Sequence, residues 1–145
     1  MRLPVDQETD SLIEYRERIE ELNDYIEGLA ISLESDPSSL APLSELRDIF
    51  HELWISSTKL NLIPISENIE ILVKAFDFML EQGFYPVTFS EFLLLLIDRL
   101  LLIARDVEYT GEIDMLKAQN IHISLQHIIL SDSIPELKFH GFSEV

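Results

Sequence analysis

The sequence predicts an all-α fold: an antiparallel up-down four-helix bundle with an additional C-terminal helix. Apolar residues recur every third or fourth position over long stretches, the period of one helix face. Only 4 Gly and 6 Pro occur in 145 residues, so turns are few and elements long. Start and stop signals divide the chain into long segments with short connections, the pattern of an up-down bundle.

The first helix is expected from Glu8 to Glu34, where Leu12, Tyr15, Ile19, Leu22, Ile26, Leu29 and Leu33 mark the inner face. Ser35-Asp36-Pro37-Ser38-Ser39 ends it. The second begins near Pro42, a favoured first-turn residue, and runs to about Leu60 before Asn61-Leu62-Ile63-Pro64 interrupts. The third starts between Pro64 and Ser66 and stops at Gly83. Phe84-Tyr85-Pro86-Val87 makes a short turn.

Thr88 or Ser90 is the expected cap of the fourth helix, with Glu91 completing a capping box on Thr88. That helix is expected to run to about Val107, with Gly111 closing the linker. A last helix spans roughly Ile113 to Leu130, and a tail containing Pro135 and Gly141 reads as irregular. The whole chain, 1–145, reads as one domain with a core over about 8–130 and no internal repeat.

Charge and composition narrow the function. With 27 acidic and 10 basic residues the net charge is −17, which repels nucleic-acid phosphates and anionic headgroups. Neither nucleic acid nor a membrane is expected as a partner. No cysteine occurs, which removes disulfides, thiolate metal sites and cysteine nucleophiles. Phe92 to Ala104 is the most apolar stretch, but Asp98 and Arg99 interrupt it and it falls short of the roughly 20 residues of a span. It reads as a buried helix. Met1 to Asp10 lacks the regions of a signal peptide, so a cytoplasmic location is expected.

Most signatures of chemistry are absent: there is no glycine-rich phosphate loop, no Gly-x-Ser-x-Gly elbow and no Glu-x-x-His repeat. No metal or cofactor site is expected. His122 and His127 are five apart, a spacing that does not put both on one helix side, and His140 lies in the tail. His51 differs. On a helical projection Leu43, Leu46, Phe50, Leu53, Ser57 and Leu60 share a core stripe, and His51 lies about 130° from its middle. His51 is therefore expected to be exposed in mid-helix, with Trp54 at the flank and Ile55 almost opposite the core. An imidazole within an apolar patch marks a partner surface. The plain alternative is a surface histidine with Ile55 covered by the tail or last helix.

The run Leu46-Arg47-Asp48-Ile49-Phe50-His51-Glu52-Leu53-Trp54-Ile55-Ser56-Ser57-Thr58-Lys59-Leu60-Asn61-Leu62 resembles the histidine phosphotransfer motif. With its flanks, Tyr25 to Leu46 and Ile65 to Ala104, it is most similar to the N-terminal phosphotransfer domain of CheA-type chemotaxis kinases. The family motif is His-x-Leu/Ile-Lys-Gly-x-x-x-x-x-Gly. His51 matches the phosphorylated histidine and Leu53 the apolar position. Trp54 stands in place of the Lys, Ile55 in place of the first Gly and Asn61 in place of the second. The Lys helps neutralise the phosphoryl group and the first Gly admits the receiver, so both departures bear on the chemistry.

The resemblance implies that His51 carries a phosphoryl group between a histidine kinase catalytic domain and a response-regulator receiver domain. The chain itself shows no ATP site. Glu70, in the polar row Glu67, Glu70, Lys74 of the third helix, falls where the family orients the imidazole; a solvated face is the alternative. Lys74 and Lys59 are the nearest cations to replace the missing Lys, and Asp48, Trp54, Ile55 and Lys59 are the implied partner contacts. Two other functions remain open. One is a degenerate module that binds a receiver or kinase without carrying phosphate. The other is a helical adaptor or dimerisation module whose apolar surface lies around Ile121, Ile123, Ile128 and Ile129.

Overall fold

The computed structural model describes residues 1–131 except Pro37, Phe84, Pro86 and Val87, and for residues 123, 124 and 126–131 the backbone alone. It is all-helical apart from one small strand pair. The elements are β1 (Arg2–Pro4), α1 (Thr9–Ser35), α2 (Ala41–Lys59), α3 (Ile63–Gln82), α4 (Phe89–Thr110), β2 (Glu112–Asp114) and α5 (Met115–Ser131).

The helices form where the apolar period falls. All of the expected inner residues of α1 are buried except Leu29, whose place Ala30 takes. α2 starts with Pro42 in its first turn, and α3 likewise carries Pro64 there. α3 and α4 end at Gly83 and Gly111, whose φ values of 77° and 71° are left-handed. That conformation strains residues with a Cβ, so glycine terminates both helices. Asn61 joins them at φ 58°, a value asparagine tolerates better than most residues.

α1 packs along α4 and α2, α2 along α3, and α5 against α3 and α4. One apolar core draws on all five helices. Phe50 of α2 stacks on Phe76 of α3 at 5.7 Å between ring centroids, and Phe76 meets Phe89 of α4 edge-on at 5.3 Å.

Several expectations are corrected. The two strands add to the expected elements: β1 pairs antiparallel with β2, Leu3 opposite Ile113, and three residues are too few to show an alternating pattern. Arg2 locks the pair by reaching Asp106, Glu112 and Asp114. Ile113 consequently sits buried in β2, and α5 begins at Met115. α4 runs past Val107 to Thr110. Thr88 is the N-cap of α4 but makes no side-chain capping bond, and buried Ser90 donates instead to Glu34 of α1 at 2.8 Å. Nor is α4 buried all round: Leu95 and Leu102 are 56% and 55% exposed.

No helix among the described residues is long and apolar enough to cross a membrane. The tail 132–145 with His140, the side chains of Ile123, His127, Ile128 and Ile129, and most of the turn after Gly83 lie outside the described residues. Ile121 is buried in the core and offers no outer surface.

Candidate functional site

α2 is held at both edges. On one side Arg18 of α1 makes a two-pronged bond to Glu52, at 3.0 and 3.1 Å. On the other, Arg47 donates to Asp77 of α3 at 2.8 Å. These carboxylates raise the pKa of both guanidiniums, the hydrogen bond being the largest cause in each case. With Leu43, Leu46, Ile49, Phe50, Leu53 and Ser57 buried beneath, the rotation of α2 is determined. The face carrying Asp48, His51, Trp54, Ile55 and Thr58 is left outward.

His51 is half-buried, not fully exposed as its projection predicts. The reason is Trp54. Residues three apart on a helix are neighbours, and the indole covers the imidazole edge-on, centroids 5.5 Å apart and planes at 60°. Trp54 itself packs partly against the core, which anchors it. No hydrogen bond or ion pair engages the His51 ring among the described residues. Ile55 is 40% exposed, one turn along.

Asp48 is exposed and within 3.5 Å of Arg47. Lys59 is exposed at the end of α2. Glu70 is half-buried and takes Lys74 at 3.3 Å rather than the imidazole. The pairs Arg47–Asp77 and Phe50–Phe76 set α2 and α3 antiparallel, so the part of α3 level with His51 lies near Lys74. Glu70 stands one turn nearer the loop, level with Trp54. The structure thus brings His51, Trp54 and Ile55 together, with Lys74 and Glu70 on the adjoining helix and Lys59 farther along.

Beneath α2, the Ser57 hydroxyl donates to the Leu53 carbonyl at 2.7 Å, and the buried Tyr15 hydroxyl donates to Ser57 Oγ at 2.6 Å. Burial pushes the Tyr15 phenol up to about 12. This tie fixes the helix below His51 and had one sequence signal, a serine in the core stripe.

Away from His51, a concavity of about 530 Å³ lies between α3 and α5, lined by Met1, Pro64, Glu67, Asn68, Met115 and His122 among others. Asn68 is buried and fully engaged. Its amide donates to the carbonyls of Pro64 and Ala118, each at 3.0 Å, and its oxygen lies 3.3 Å from His122 Nδ1. His122 is thus a structural partner of Asn68. No group of three or more His, Asp or Glu among the described residues is arranged to hold a metal ion.

No protein-family model matches the chain, and neither a curated protein nor a solved structure is significantly similar to it.

Proposed function

We propose that this chain is a phosphotransfer module whose His51 carries a phosphoryl group between a histidine kinase and the aspartate of a response-regulator receiver domain. In this reading α1 to α4 form a single up-down bundle with α5 as the additional helix, working in the cytoplasm. The observation that carries it is the His51 ring: mid-helix, on the outward face of a helix tied at both edges, with no hydrogen-bond partner among the described residues.

The chemistry asks for little more. The unprotonated ring nitrogen attacks phosphorus, the bond from phosphorus to the donor's oxygen breaks, and the electron pair leaves with that oxygen. Return to an aspartate reverses the step. A rigid, oriented nucleophile is the module's contribution, while the receiver supplies metal and acceptor. In this reading Lys74, which pairs with Glu70 on α3, offsets phosphoryl charge where the motif lysine is replaced by Trp54. Asn61, at the motif's second glycine, holds a positive φ that glycine also adopts.

Incubation with phosphorylated receivers or an active histidine kinase should label the wild-type chain and leave His51→Gln unlabelled. Equal labelling of the two, or no labelling with any donor, overturns the reading.

A second reading is favoured by Trp54 lying over His51 and by bulky Ile55 at the position of the first glycine. It makes the same face a docking surface for a receiver or kinase without phosphate transfer. Trp54→Ala then weakens binding while His51→Ala leaves it unchanged. The opposite order favours the carrier.

A further inference from the structure

The outer face of α4 carries Leu95, Leu102 and Tyr109, 56%, 55% and 91% exposed. They are spaced by seven residues, so they form one stripe about 21 Å long on a helix rising 1.5 Å per residue. Taking Leu102 as reference, Leu95 and Tyr109 lie about 20° to either side. Asp98 and Arg105 lie about 40–60° to one side, and Arg99 and Asp106 about 40–60° to the other. Charge is therefore arranged symmetrically about Leu102: each edge of the stripe carries one acid and one base, in opposite order along the helix.

We propose that this stripe is a self-association surface, α4 packing antiparallel on α4 of a second copy about a two-fold axis at Leu102. That axis stacks Leu102 on its own copy and Leu95 on Tyr109 of the second copy. It sets Asp98 against Arg105 of the second copy along one edge, and Arg99 against Asp106 of the second copy along the other, each pair occurring twice. The match to itself, apolar to apolar and acid to base, is what selects a second copy as the occupant.

Arg105 and Asp106 are ordered in advance, which reduces the freedom lost on pairing. Arg105 reaches Glu20 at 2.9 Å, and Asp106 holds Arg2. The antiparallel sense follows from the dipole of α4, whose C-terminal end at Thr110 is partially negative. Parallel packing brings two such ends together, whereas antiparallel packing holds them apart. This inference does not depend on His51, which lies on α2.

One helix face is less than the roughly 1,200–2,000 Å² of a standard stable interface, so the association belongs to the weak class. Sedimentation equilibrium of the full chain from about 10 μM to 1 mM tests it, the range in which weak binding is read, in about 0.15 M salt. The wild-type mass should rise from one chain toward two. Leu102→Glu should stay monomeric throughout, with unchanged circular dichroism because the site is exposed. Asp98→Arg should weaken association about tenfold, and adding Arg105→Asp should restore most of it. A wild-type chain monomeric at about 1 mM, or a Leu102→Glu chain that associates like wild type, overturns the proposal. Failure of Arg105→Asp to restore the Asp98→Arg chain, or rescue by Arg99→Asp instead, overturns the antiparallel register.

Discussion

The indole of Trp54 lies edge-on over the imidazole of His51, their ring centroids 5.5 Å apart. Trp54 is the chain's only tryptophan. Its emission therefore reports on the chemical state of that imidazole. Acylation of the histidines with diethyl pyrocarbonate should change Trp54 fluorescence in the wild type. The change should vanish in His51→Gln, although three other histidines remain in the chain. Persistence of the signal in His51→Gln would show that the two rings are not in contact in solution.

Burial of the Tyr15 hydroxyl should make stability fall in alkali. Tyr15 is buried, its folded pKa is raised to about 12, and its ordinary value is 10.0. Its contribution is fully present below pH 10 and is lost as pH rises toward 12, because the unfolded chain ionises first. The loss amounts to about 2–3 kcal/mol across that window. Urea midpoints of wild type and Tyr15→Phe, compared at neutral pH and near pH 11, should converge as wild type loses this contribution. Parallel pH profiles for the two proteins would contradict it. At neutral pH Ser57→Ala should destabilise by about 1–3 kcal/mol, more than Tyr15→Phe, because it leaves the Tyr15 hydroxyl buried without a partner.

Asn68 fastens α5. Replacing it with Ala removes two donated bonds and the contact with His122, and leaves the Ala118 carbonyl without that donor. The expected cost is about 2–4 kcal/mol, with the larger effect local to α5. Hydrogen exchange should accelerate in 115–131 while α1 and α2 stay protected. Uniform acceleration along the chain would mean that Asn68 acts on global stability alone.

The α1–α4 seam should be acid-sensitive. Arg105 and Arg16 hold Glu20 below the usual carboxylate range, and Arg16 does the same for Glu108. Carboxylates depressed in the folded state contribute stability above their unfolded pKa and lose it as pH falls through the folded value. Arg16→Met should therefore lower stability at pH 7 and flatten its decline below about pH 4.5. An unchanged slope in acid-titrated urea midpoints would exclude this linkage.

Gly83 and Gly111 make a cleaner backbone test. A β-carbon added at either would meet no atom within 4 Å, yet both have φ above 70°. Alanine should cost about 1 kcal/mol at each through backbone strain alone, read as a lowered Tm.

The helices were legible because a helix is a local object. Contacts between residues three and four apart decide whether one forms, and those are written in the period of Leu12, Tyr15, Ile19 and Leu22 or of Leu43, Leu46, Phe50 and Leu53. The glycine stops at Gly83 and Gly111 follow from a conformation that only certain residues accept. The outward direction of His51 and Ile55 was readable for the same reason, since the core face of α2 sets its opposite.

What lay beyond the sequence is every contact that requires two helices to be placed first. Trp54 over His51, Glu70 turned to Lys74, Ser90 bonded to Glu34 and Asn68 reaching Ala118 depend on rotamers, helix rotation and register. The three-residue strands β1 and β2 exist only because α4 returns Glu112–Asp114 beside Arg2–Pro4. Period and propensity by themselves determined which segments coil and which side of each is greasy. Packing decided which polar groups meet, because burial penalises an unpaired donor wherever it falls and leaves each to find its partner in space, not in the chain.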